Sequence, residues 1–225
     1  MRFVIALLLA VPARAETVTV AVASNFLAPF EELAAVWSEQ TGHEVAISSG
    51  ATGLLFAQIA RGAPFDLFLA ADAARPERLE AGGIGQGRRA YALGRLALWG
   101  LEGASAGSLS APIGRLAIAN PESAPYGAAA LEVLAREGAE VDTVLTGENA
   151  AQAYLFARTG NADLAFVPLA FVLGDARAWE VPSDWHAPIR QELIVLTDGP
   201  AADLAEWLTT PAAQSLIEMR GYASP

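Results

Sequence analysis

Apolar residues in this chain follow two alternating periods. Residues 17–23 are β-branched residues and alanine, a short run that predicts a strand. Over residues 29–40, Phe30, Leu33, Ala34 and Trp37 fall at i, i+3, i+4 and i+7, one face of a helix, and Gly42 ends it. The spacing then predicts a strand at 45–48, a helix at 54–61, a buried strand at 66–70 and a helix at 75–81. Past the glycine-rich residues 82–87 the pattern changes: 90–99 is long and extended, and 103–112 is a loop of small residues. The alternation restarts with strands at 116–119, 141–145 and 163–167 and helices at 128–136 and 150–158. A second long extended segment, 189–197, precedes two closing helices at 201–208 and 211–220. Strands alternating with helices predict an α/β fold built on mostly parallel sheet.

Residues 58–69 echo residues 156–167. In each, a helix ends at a glycine (Gly62, Gly160), and shortly afterwards an aspartate (Asp66, Asp163) opens an apolar strand. Either a commonplace helix-turn-strand unit occurs twice, or the chain holds two similar lobes. In the second case the segments at 90–99 and 189–197 cross between the lobes, and the closing helices return to the first.

Four polar stretches stand at predicted helix starts: Ser24-Asn25, Gly50-Ala51-Thr52-Gly53, Pro125-Tyr126-Gly127 and Gly147-Glu148-Asn149-Ala150. Singly, each is an ordinary cap or turn. Together, two per half and each after a strand, they offer the unpaired N–H groups and positive dipole ends that suit an anion in a cleft. Their donors are hydroxyls, a carboxamide and main-chain N–H, with no Lys or Arg among them. Such a set suits a fully ionised tetrahedral anion, a pure acceptor, and mildly disfavours one that keeps a proton.

The chain opens with Arg2, a short apolar run and Ala13-Arg14-Ala15, the pattern of an export signal over residues 1–15. That run is shorter than the roughly 20 residues needed to span a bilayer, and membrane insertion is not expected. Loss of Arg2 and Arg14 leaves 12 arginines against 25 acidic residues, a net charge of −13. That balance argues against nucleic acid and anionic membrane surfaces as partners. The chain has no cysteine and no lysine, which removes disulfides, thiolate chemistry, Schiff bases and the P-loop lysine. His43 and His186 lie far apart, so a metal cluster finds no support. Asp66 and Asp72 bracket a strand and form a candidate acid/base pair, although backbone capping explains both.

The most specific runs are Ala23-Ser24-Asn25-Phe26, residues 48–53, Gly62-Ala63-Pro64-Phe65-Asp66-Leu67-Phe68 with Ala71-Asp72, and residues 120–127. On these the chain resembles the periplasmic molybdate-binding proteins of ABC importers, over essentially its whole length after the signal. The resemblance implies a two-lobed class II periplasmic-binding-protein fold, with lobe 1 from 16–91 and 193–225 and lobe 2 from 92–192. It implies no cofactor, a monomer, molybdate or tungstate as ligand, and a transporter permease as partner. Ser24, Asn25 and Thr52 carry over as first-lobe ligands, with Tyr126 and the backbone of Ala150 from the second lobe. Some members place a tyrosine hydroxyl where this chain has Pro168, and Tyr126 stands in for it. The alternatives are the same fold holding another small anion such as sulfate, or an exported hydrolase using Asp66 and Asp72.

Overall fold

The structure, a computed structural model, describes residues 15–225; the export signal expected over residues 1–15 lies almost wholly outside them. Two five-stranded sheets organise the chain. The first contains β1 (Thr17–Ala23), β2 (Glu44–Gly50), β3 (Leu67–Leu69), β4 (Gln86–Gly94) and β10 (Ile189–Val195), in the order β2-β1-β3-β10-β4. The second contains β5 (Leu96–Trp99), β6 (Ile113–Ala119), β7 (Val141–Gly147), β8 (Leu164–Pro168) and β9 (Ala178–Glu180), in the order β7-β6-β8-β5-β9. In each, three parallel strands are followed by one that runs the opposite way and an edge strand that reverses again, so four of the five share one direction.

Strand alternation sorts side chains to two helix layers. Val18, Val20 and Val22 of β1 face α1 (Leu27–Thr41), α6 (Pro200–Trp207) and α7 (Pro211–Met219), packing with Phe30, Leu33, Trp37, Leu204 and Ile217. Ala21 faces the other way, with Leu55 of α2 (Thr52–Ile59) and Leu79 of α3 (Ala74–Ala81). The second sheet repeats this. Leu116 and Ile118 pack against α4 (Pro125–Glu137), and Ala117 against α5 (Ala150–Arg158). The fold is α/β in two lobes.

The sequence echo marks the same place in each lobe: α2 leads into β3 and α5 into β8, and these strands pair in parallel with β1 and β6 respectively. The aspartates match as well. The N–H and carboxylate of Asp66 bond the C=O and N–H of Thr19, and those of Asp163 bond Arg115 in the same way.

The crossing expected within 90–99 is present, and the return crossing needs correction. The extended stretch at 90–99 is two strands in two sheets, broken after Gly94; both halves are apolar and extended, so the pattern hides the break. The return crossing lies before Ile189, because β10 pairs with β4 from its first residue, Ile189 opposite Gly94. The expected cuts at 91/92 and 192/193 fall inside this strand pair. The short strand β9 had no signature in the sequence.

A candidate anion site between the lobes

All four polar stretches lie beyond the carboxyl ends of strands β1, β2, β6 and β7, the side on which open α/β sheets bind ligands. Ser24 and Asn25 form a 3-10 turn over Ser24–Phe26, rather than capping α1 directly. Thr52 is the first residue of α2, and Tyr126 follows Pro125, whose fixed φ suits the first helical position of α4. Asn149 caps α5, its Oδ1 accepting from Gln152 N–H at 3.1 Å, so Ala150 opens that helix. First-turn N–H groups have no partner within a helix.

These starts converge. Ser24, Asn25, Thr52, Tyr126 and Ala150 line one small cavity between the lobes, and no charged side chain lines it with them. Its volume, about 10 Å³, is on the scale of one water. Asn25, Thr52, Tyr126 and Ala150 are all buried, and Ser24 is half-buried.

Hydrogen bonding orients the donors. Ala71 N–H donates to Thr52 Oγ1 at 3.1 Å, which leaves the Thr52 hydroxyl hydrogen for another acceptor. Gln191 Nε2 donates to Tyr126 Oη at 3.2 Å, with the same consequence for that hydroxyl. Burial pushes the Tyr126 hydroxyl well above the usual tyrosine range, so it keeps its proton. The carboxamide nitrogen of Asn25 is engaged within the protein, by Gln191 Oε1 at 2.8 Å and Tyr222 Oη at 3.3 Å. The donors this turn leaves open are the Ser24 hydroxyl and main-chain N–H.

The lobes also touch at the rim. Gly53 N–H donates to Ser123 C=O at 2.9 Å, and Arg75 Nη2 to Glu122 C=O at 2.8 Å. A Cβ on Gly53 would lie 3.0 Å from Ser123 Cα, so glycine is what permits this approach. Gln191, Gly94 and Arg75 were not singled out in the sequence. A Cβ on Gly94 would overlap Tyr126 Oη and approach Gln191 Nε2 to 2.8 Å.

The acid/base pair does not form a site. The Asp66 carboxylate accepts from Thr19 N–H and the Thr197 hydroxyl, and Asp72 is paired with Arg75 at the other end of β3. Both groups do structural work: Asp66 bonds the backbone of β1 as expected, and Asp72 accepts from the first-turn N–H of Arg75, although Ala73 rather than Asp72 stands at the cap of α3.

A sequence profile described as bacterial extracellular solute-binding protein matches residues 18–223. The chain belongs to this family. Among solute-binding proteins it is 43% identical to the molybdate-binding protein ModA of Azotobacter vinelandii, over 98% of this chain and 96% of that one. It is 40% identical to ModA of Rhodobacter capsulatus, over 96% and 92%. Its fold is similar to the solved structure of the Azotobacter vinelandii periplasmic molybdate-binding protein, with a TM-score of 0.85 and 33% identity over 92% of this chain and 99% of that one. Among the described residues of this solute-binding protein, no helix is long and apolar enough to cross a membrane.

Proposed function

We propose that this protein binds molybdate or tungstate outside the cytoplasm and delivers it to the permease of an ABC importer. The observation that carries the reading is the convergence of four helix starts on one cavity lined by uncharged donors. The two ModA relatives, similar over nearly their whole length, supply the ligand class. Ser24, Thr52 and, through its main-chain N–H, Asn25 of the first lobe, with Tyr126 and Ala150 of the second, are the proposed ligand set. Residues 1–15 serve as a cleaved export signal, which places the mature protein in the periplasm as a monomer. It acts by binding alone, without a chemical step.

The physics suits a small, hard dianion. The closed cavity has room for about one water, so the lobes part to admit a tetrahedral oxyanion, and the space stays far below the 300–1,000 Å³ typical of organic-ligand sites. An amino acid needs opposite charges to pair with its ends, and no charged side chain lines this space. Each neutral donor facing a charged acceptor contributes about 1.5–3 kcal/mol, so a handful supports tight binding after the costs of association. Donors fixed to the backbone do not follow a smaller ion inward, which sets molybdate apart from sulfate.

Calorimetry and thermal-shift measurements with molybdate, tungstate, sulfate and phosphate test this. Tight binding and a large shift with the first two alone are expected. A preference for sulfate or phosphate, or no response to any of the four, overturns the reading.

A further inference from the structure

The buried polar side chains behind the cavity form one hydrogen-bonded chain, and its far end dictates its direction. The main-chain oxygen of Asn25 only accepts, and Tyr222 Oη lies 2.6 Å from it, so Tyr222 donates there. With that hydrogen committed, the Asn25 carboxamide atom 3.3 Å from Tyr222 Oη has to be the nitrogen. Gln191 therefore turns its amide oxygen toward that nitrogen, at 2.8 Å, and the same oxygen lies 3.0 Å from the Tyr91 hydroxyl. The other amide atom of Gln191 is then the nitrogen, which donates to Tyr126 Oη. Gln191 is fully buried, so no water competes for its amide. The amide orientations, ordinarily ambiguous between O and N, follow from a single carbonyl.

We propose that Gln191 is a positioning residue that sets anion specificity: by donating to Tyr126 it makes that hydroxyl a donor to the bound ion, and the site thereby rejects oxyanions that carry a proton. This rests on the cavity being an oxyanion site. A hydroxyl is the one kind of lining side chain here able to switch between giving and taking a hydrogen. With Gln191 donating to its oxygen, Tyr126 turns its O–H toward the ion, so a phosphate O–H pointed at Tyr126 meets a donor head-on and has to look to the Ser24 hydroxyl for an acceptor. Discrimination of this type comes from what the unwanted ligand leaves unpaired. The relay joins both lobes, because Tyr126 stands on α4 whereas Gln191, Asn25 and Tyr222 belong to the first lobe.

The test is calorimetry on the intact protein with molybdate, and with inorganic phosphate by competition. Gln191→Met removes the donor at similar bulk and frees the hydroxyl to turn. The ratio of molybdate to phosphate affinity should narrow by about tenfold or more, the scale of one hydrogen bond to a charged group. In a Tyr126→Phe background the same substitution should leave that ratio unchanged. Equal weakening of both anions by Gln191→Met, or an undiminished effect in the Tyr126→Phe background, overturns the proposal. Should Gln191→Met not fold, Tyr222→Phe releases the chain at its far end and is read in the same way, with a smaller narrowing expected. A wild-type protein that ignores molybdate and tungstate defeats the proposed function instead; the Gln191–Tyr126 coupling is then measured with whichever dianion it binds.

Discussion

The two halves of the cavity are held by different means. In the first lobe, Thr52 is oriented by Ala71 of its own lobe, and the turn at Ser24–Phe26 is fastened by Tyr222 of the same lobe. In the second lobe, Ala150 stands behind a cap from its own helix, but the Tyr126 hydroxyl takes its partner from β10, a strand of the opposite lobe. The first half needs nothing from across the cleft. The second is completed only where the lobes meet. One half-site thus offers a formed landing surface, while the other reports closure.

Substitutions sort themselves along this contrast. Thr52→Ala removes a cavity hydroxyl and strands the buried Ala71 N–H, so molybdate affinity should fall about a hundredfold, with a loss of about 1–3 kcal/mol in stability. Calorimetry and thermal melts read both, and a fall under about threefold would place the hydroxyl outside the site. Gly53→Ala crowds Ser123 across the rim without touching the cavity's hydroxyls. It should raise the dissociation rate about tenfold while association stays within about twofold, since altered interfaces act mostly through dissociation; stopped-flow kinetics separate the two. Arg75→Ala deletes the partly exposed bond to Glu122 C=O, and about a threefold faster release is expected, the modest worth of a bond at a wet rim. If Arg75→Ala exceeded Thr52→Ala, the contrast between a formed and a closure-dependent half would fail.

Much of this was legible in the residues. The i, i+3, i+4, i+7 spacing located α1 because its Phe30, Leu33 and Trp37 face one core. The helix starts were legible because they need particular residues: Pro125 before Tyr126, and Asn149 as a cap. Gln191 was not. It sits between Arg190 and Glu192 in a polar run that reads as facing solvent, and its partners Asn25, Tyr91 and Tyr126 are 65 or more residues away. Gly94 was hidden similarly, because its need to be glycine comes from a tyrosine on another lobe. Periodicity reports which face is covered and leaves unsaid what covers it.

The bonds at Ala223 have a consequence for how the cavity is held. Ala223 exchanges both main-chain hydrogen bonds with Leu93 of β4, and that clasp holds Tyr222 against Asn25. The turn that carries Ser24 is thus moored to a residue 197 positions further along the chain than Asn25. Deleting residues 222–225 should unmoor that turn and weaken anion binding while both sheets persist.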